Sequence, residues 1–322
     1  MLVKDRSKSI RIKKMEVLQR RLVYHHPKLL SIEDELGGRL YGHYGERSND
    51  YFLKPLISKG YSVIHDLRLD AYESFFQIDT LLISPWYFLI LEVKNISGTL
   101  IFDHLNQVIR QKEDGTDEAI PNPIFQVKRQ QSHLIEWLAR NRVPQIPVHS
   151  LVVMSNPKTI IKAPPTLKEV KEKITHSPYL QERINLIEKL HPTEKLSKKE
   201  ITKLTKTIVR QHNPENPDLL KRFQIEEKDI IKGVYCTKCF HMPVMRKYGA
   251  WYCMKCSYQS PDLHIPTLND YALLFGNTIS NKQFCDFLQL SSRHVARRLL
   301  LDMELAHIGS NKNRKYILPT LM

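Results

Sequence analysis

Two C-x-x-C pairs, Cys236/Cys239 and Cys253/Cys256, restrict the fold of this chain more than any other feature. Thirteen residues separate them, and no other cysteine lies nearby. Each pair can close a tight knuckle with both sulfurs facing one ion, and two knuckles complete a tetrahedron. Met245 to Tyr252, between the pairs, reads as a short hairpin. So small a segment has no core of its own, so bound Zn²⁺ supplies its folding free energy. A closed four-thiolate site is structural, and no catalysis is expected there. The fifth cysteine, Cys285, sits between Phe284 and Phe287 and reads as a small core residue. An odd, clustered cysteine count argues against a secreted disulfide framework and points to a cytoplasmic protein.

The chain has 322 residues, enough for several compact domains, and a formal net charge of +15 with pI near 9.5. Such an excess of cations attracts polyanions, and nucleic acid is the partner it implies. A membrane is not expected. No apolar run approaches the roughly 20 residues that span a bilayer, and no basic amphipathic helix carries Trp or Phe on its apolar face. No G-x-x-x-x-G-K-[ST] loop is present, which excludes an intrinsic P-loop ATPase.

The pattern of the first half is helix, several strands, helix, strand. Residues 45–56 read as a helix with Tyr51, Phe52, Pro55 and Leu56 on its apolar side. Tyr61–Leu69, Phe75–Ile83 and Tyr87–Lys94 read as strands, the last of them buried on both faces. A hairpin is expected across Asp114-Gly115. Asn122-Pro123 opens a helix to about Arg140, with Ile124, Val127, Leu134, Ile135 and Leu138 inward. Val148–Met154 is a further buried strand.

Glu92-Val93-Lys94 ends the most apolar strand. Residues two apart on a strand share a face, so Glu92 and Lys94 project together. Charges on a buried strand need partners, because isolated they are costly. Asp79, on the preceding strand, can lie beside Glu92 if the two form a hairpin. Two adjacent carboxylates repel unless a cation lies between them, and Mg²⁺ or Mn²⁺ suits oxygen ligands and a substrate phosphate. Lys94 could then orient an attacking water or offset charge in the transition state.

The region 40–155 resembles the NERD (nuclease-related) domain of the PD-(D/E)xK nuclease superfamily. The resemblance rests on Gly45-Glu46 opening the first helix, Gln77-Ile78-Asp79 before an apolar strand, Glu92-Val93-Lys94-Asn95, and Asn122-Pro123 followed by Gln126. It implies that Asp79, Glu92 and Glu46 hold Mg²⁺ or Mn²⁺, that Lys94 assists the nucleophile, and that Gln126 orients water or substrate. It also implies an α/β core with a small mixed central sheet flanked by helices.

Beyond the core, the cysteine spacing resembles a zinc ribbon. Residues 280–288 and 292–303 then read as two helices, followed by two short strands around a basic tip. That order resembles a winged-helix domain. Arg293, His294, Arg297 and Arg298 of the second helix, with Lys312, Asn313, Arg314 and Lys315 of the tip, are the expected nucleic-acid contacts.

The expected division is a basic N-terminal helix or arm at 1–37, a NERD-like nuclease domain at 38–180, a charged helical linker at 181–232, a zinc ribbon at 233–262 and a winged-helix-like domain at 263–322. The function it suggests is Mg²⁺-dependent endonucleolytic cleavage, with DNA the favoured partner. The alternatives are a nucleic-acid-binding protein with a degenerate core, or an RNA-processing nuclease. A homo-oligomer or protein partner stays open at this level.

Overall fold

A computed structural model describes residues 1–310 and 313–319. In chain order its elements begin β1 (Leu2–Lys4), α1 (Ile10–Arg21), α2 (Leu29–Ser58), β2 (Ser62–Ala71), β3 (Ser74–Ile83), β4 (Phe88–Lys94), β5 (Thr99–Phe102), β6 (Val108–Gln111), β7 (Asp117–Ile120) and α3 (Pro123–Arg140). Next come β8 (Val148–Met154), β9 (Ile160–Lys162), α4 (Lys168–Lys173), β10 (Ile174–His176), α5 (Leu180–Leu190), α6 (Lys198–Gln211) and α7 (Leu219–Phe223). The last are β11 (Met245–Lys247), β12 (Ala250–Tyr252), β13 (Gln259–Ser260), α8 (His264–Phe275), β14 (Thr278–Ser280), α9 (Asn281–Leu288), α10 (Arg293–Asp302), β15 (His307–Ile308) and β16 (Lys315–Ile317). The chain forms two compact units, Met1–Lys8 with Gly38–Glu215 and Ser9–Gly37 with Asn216–Met322. The boundary falls inside α2.

The first unit is a mixed α/β core. Its six-stranded sheet has the order β1-β2-β3-β4-β8-β10. β2, β3 and β4 form an antiparallel meander, while β1, β8 and β10 join their neighbours in parallel. Phe88 and Ile90 of β4 pack on one face with Leu134 and Trp137 of α3. Leu89, Leu91 and Val93 pack on the other with Leu53 and Leu56 of α2 and Leu180 and Ile184 of α5. The strict alternation along β4 therefore separates its two apolar layers, as a strand covered on both faces requires. A second sheet, β7-β6-β5-β9, contains the hairpin across Asp114-Gly115.

Alternation breaks once in the neighbouring strands. Ile64 and Leu67 of β2 lie in the same apolar layer, as do Ile78 and Leu81 of β3. An odd spacing on one face requires an inversion between those positions. Asp66 supplies it with a φ of 49°, a left-handed conformation that Asp tolerates better than most residues. Asp66 and Asp79 thus sit at the matching kink of two paired strands.

Three expectations change on packing. In α2 Leu53 and Leu56 are buried, whereas Tyr51 is exposed and Pro55 lies inside the helix. In α3 the expected Ile124, Val127, Leu134 and Leu138 are buried, joined by Trp137 and Gln130, and Ile135 alone of the expected five is exposed. The segment taken as a charged linker contributes α6 to the core. Ile201, Leu204, Thr205 and Ile208 are buried at helical spacing, so its many lysines form only the outer side.

The second unit contains a three-stranded sheet β11-β12-β13 and another ordered β14-β16-β15. Residues 9–37 are no loose arm: Met15, Val17 and Leu18 of α1 are fully buried. Arg21 is buried as well, and donates to Asp270 at 2.6 Å and to the carbonyls of Ile231 and Gly233 at 2.9 and 3.2 Å. These bonds join α1 to α8 and to the segment leading into the first cysteine knuckle. No helix among the described residues is long and apolar enough to cross a membrane.

Candidate active site and metal centres

β4 points Glu92 and Lys94 toward α3, on the layer of Phe88 and Ile90. Lys94 Nζ donates to Glu92 Oε1 at 2.7 Å and to Gln126 Oε1 at 2.9 Å. Gln126 Nε2 donates to Glu92 Oε1 at 2.5 Å, and Gln130 Nε2 to Glu92 Oε2 at 2.7 Å. Glu92 is only 3% exposed, so these bonds replace its lost hydration. Asn122 caps α3 and Pro123 occupies its first turn, which brings Gln126 to the end of the helix beside β4.

Asp79 reaches the same place from β3. Regular pairing of β3 with β4 extends to Thr80 and Leu91. Beyond it, Asp79 Oδ2 accepts the Val93 N–H at 2.9 Å, a side-chain bond in place of the next ladder rung. Burial pushes the Asp79 carboxyl well above the usual range, and the charges of Glu92 and Glu46 add to this against the Val93 N–H and Lys94. Burial likewise raises Glu46 to about 7, with Arg6 opposing and Asp66 and Glu92 reinforcing the rise. The Glu92 charge thus makes both Asp79 and Glu46 harder to ionise, and Glu46 adds to the effect on Asp79. Such repulsion is relieved by protons or by a cation.

Glu46 is carried by α2 and held by Arg6, whose Nη1 donates to Glu46 Oε2 at 2.7 Å. Gly45 lets α2 approach the strand ends. A Cβ there would lie 2.8 Å from Asn95 Cγ and 2.8 Å from Ser155 Oγ, closer than packed side chains come. Asn95 also donates to the Tyr41 carbonyl at 2.9 Å. Gly45→Ala is thus expected to push α2 outward, destabilise the protein by about 2 kcal/mol and slow any reaction that needs Glu46. A thermal melt together with a rate measurement would test this, and an unchanged melting temperature would refute the close packing.

Of the five expected site residues, Glu92, Lys94 and Gln126 bond one another, and Asp79 and Glu46 lie near enough to feel the Glu92 charge; among the described residues the three carboxylates do not form a cluster as tight as that of the cysteines. The donor set is three carboxylates with no sulfur or imidazole, which suits Mg²⁺ or Mn²⁺. Two contributors escaped the sequence. Gln130 carried a usable signal, since it lies one turn after Gln126 on the same helical face. Arg6 carried none, lying 40 residues before its partner in a run of basic residues.

In the second unit the four cysteine sulfurs lie within 4.8 Å of one another. Cys236–Cys256 and Cys239–Cys253 are 3.6 and 3.5 Å apart. Sulfurs at about 2.3 Å from a tetrahedral zinc would be roughly 3.8 Å apart, so the cluster fits that ion. The knuckles match in their backbone: Phe240 N–H bonds the Cys236 carbonyl at 2.8 Å and Ser257 N–H that of Cys253 at 2.9 Å. Phe240 and Ser257 each take a positive φ, which turns the chain out of the knuckle. Trp251 of β12 is buried and donates to His264 Nδ1 at 3.3 Å.

The C-terminal residues run helix, strand, helix, helix, strand, strand, with Ser280 and Ser292 capping α9 and α10. Arg293, His294 and Arg297 are exposed and line a cavity of about 650 Å³ with Lys282 and Arg314, and among the described residues no carboxylate contributes to its wall. Arg298 is exposed too, outside that lining, and its charge acts on Arg246 of β11, whose pKa is lowered first by burial and then by Arg298. Asn313 and Lys315 are exposed, while Lys312 lies outside the described residues. Ala296, Leu299 and Leu300 form the inward side of α10, with Val295 only half-buried.

Residues 41–155, just over a third of the chain, match the family model of the nuclease-related domain, NERD. The match spans Glu46, Asp79, Glu92, Lys94 and Gln126, but neither Arg6 nor the second unit. No match was found among curated proteins or solved structures.

Proposed function

We propose that this chain, with a nuclease-related domain at residues 41–155, is a metal-dependent endonuclease that hydrolyses phosphodiester bonds, with DNA as the favoured substrate. The observation that carries the reading is the convergence of Asp79, Glu92 and Glu46 next to a lysine held in place by Glu92 and Gln126. Mg²⁺ or Mn²⁺ bound by those carboxylates would offset phosphate charge and acidify a water molecule.

The protein's own groups supply orientation and charge. Lys94 has three N–H donors. Two of them engage Glu92 and Gln126, so the third can point to an attacking water or a phosphoryl oxygen. Because these bonds exist before substrate arrives, little reorganisation is needed as negative charge develops. Gln130 fixes the second oxygen of Glu92 and stops the carboxylate from rotating away.

The second unit is read as a nucleic-acid holder made of a zinc ribbon and a winged-helix-like module. Support comes from the four-thiolate cluster, the helix and strand order, and the basic cavity lined by Lys282, Arg293, Arg297 and Arg314. Arg293, His294, Arg297 and Arg314 would bind phosphates there, and the exposed Arg298 and Lys315 would do so beside it.

The test is incubation of the full chain with supercoiled plasmid, linear duplex, single strands and RNA, with Mg²⁺, Mn²⁺ or chelator. Metal-dependent nicking of plasmid in preference to RNA is expected. Tight, salt-sensitive binding with no cleavage of any substrate would replace this reading with that of a binding protein.

A further inference from the structure

The N-terminal strand brings an arginine into the centre of the core. β1 is an edge strand beside β2, with Leu2 opposite Val63 and Lys4 opposite Ile64. Two residues later the Arg6 side chain is 2% exposed and surrounded by acceptors from three elements. From α2 it binds Glu46 Oε2 at 2.7 Å and Asp50 Oδ2 at 3.0 Å. From β2 it binds Asp66 Oδ1 at 2.9 Å and His65 Nδ1 at 2.9 Å, and from β3 Thr80 Oγ1 at 2.9 Å. His65 must accept that bond, which fits a neutral ring whose pKa burial and the Arg6 charge press down to about 4.

We infer that Arg6 is a positioning residue for the metal-binding carboxylates: its guanidinium clamps Glu46 of α2 against the kink of β2 and β3 that carries Asp66 and Asp79. The inference rests on the nuclease reading above. The physical case is one of geometry. Thr80 is adjacent to Asp79, and Asp66 occupies the inversion opposite it. A planar fork with five N–H donors can grip α2, β2 and β3 at once, which a lysine ammonium on its flexible stem cannot. Lys4 reinforces the kink by donating to the carbonyls of His65 and Asp66 at 2.9 and 3.3 Å. A carboxylate has about four lone-pair sites, so one bond to Arg6 leaves Glu46 able to bind an ion. Arg6 also leaves a surplus of negative charge: it faces Glu46, Asp50 and Asp66 together. It therefore orders the acidic site without neutralising it.

The experiment is Mn²⁺ titration of the full-length, zinc-loaded chain by calorimetry, with thermal melts to confirm folding. The proteins are the unmodified chain, Asp79→Asn, Glu46→Gln, Arg6→Gln, Arg6→Lys and the double variant Arg6→Gln/Glu46→Gln. Arg6→Gln is expected to weaken Mn²⁺ binding about tenfold, the loss typical when a group orienting a metal ligand is removed. Arg6→Lys is expected to fall between the two. In the Glu46→Gln background, Arg6→Gln should add almost nothing, because its effect runs through Glu46. A merely structural role would instead lower the melting temperature and leave the affinity of folded protein unchanged. Wild-type affinity in Arg6→Gln, or full additivity with Glu46→Gln, overturns the inference. If Arg6→Gln does not fold, Arg6→Lys decides alone, and undiminished affinity there overturns it. An unmodified chain that binds no Mn²⁺, or an Asp79→Asn variant that binds as well as it does, overturns the metal-site reading itself and this inference with it.

Discussion

Replacing Asp79 or Lys94 with alanine should each reduce DNA cleavage by about 10³-fold, but for different reasons that metal binding separates. Asp79 is a carboxylate whose protonation burial and its two acidic neighbours favour in the absence of a cation. Its removal takes away a ligand charge and the acceptor of the Val93 N–H, so Mn²⁺ affinity should collapse together with the rate. Lys94 is a cation placed beside the ligands. Its removal frees Glu92 Oε1 from an ion pair of 2.7 Å and leaves all three carboxylates in place. Mn²⁺ affinity should then persist or rise while the rate still falls. Cleavage of supercoiled plasmid and Mn²⁺ calorimetry on the same preparations provide both readouts. A Lys94→Ala enzyme cutting at the unmodified rate would remove Lys94 from the chemistry, and loss of metal binding in that variant would mean that it acts through the site's structure.

The second large effect concerns the cysteine cluster. One zinc per chain is expected by elemental analysis, and Cys236→Ser with Cys253→Ser should abolish it. Structural zinc contributes roughly 10–16 kcal/mol in small zinc-binding peptides, which matches or exceeds the stability of a whole domain at about 5–15 kcal/mol. The ribbon strands β11, β12 and β13 span two or three residues each and cannot persist on pairing alone. Trp251 is 2% exposed and lies on β12 between the two cysteine pairs, so its fluorescence should shift to the red when the ion is lost. Rapid proteolysis between residues 233 and 262 should accompany the shift. A double serine variant that stays zinc-free with Trp251 buried and proteolysis unchanged would show that the ribbon folds without metal.

Much of this arrangement was legible from local pattern. The alternation in Phe88–Lys94 assigns Glu92 and Lys94 to one face, and the structure bonds them to each other. Asn122-Pro123 marks the start of α3 because a cap and a fixed φ act within one turn. The knuckles follow from cysteine spacing, since each ring closes over a few residues. Where the pattern misled, a competing signal was stronger. The lysines of residues 198–211 suggested a solvated linker, yet the inward positions Ile201, Leu204 and Ile208 belong to the core. Tyr51 and Ile135 looked inward by spacing, but the helix rotation is set by what the sheet offers, and Leu53 and Trp137 fill that space.

By itself, then, the sequence determined everything whose cause is short-range: the strand face shared by Glu92 and Lys94, the caps, and the two knuckles. Their causes act over the span of a turn or a pleat, so neighbours in sequence suffice to state them. Only the tertiary structure decided which separate pieces meet. It turned Asp66 and Asp79 at a matched kink, brought Gly45 against Asn95 and Ser155, and buried Arg6 among Glu46, Asp50 and Asp66. A buried guanidinium looks in sequence like any surface arginine. Its cost becomes acceptable only once folding surrounds it with carboxylates from distant segments.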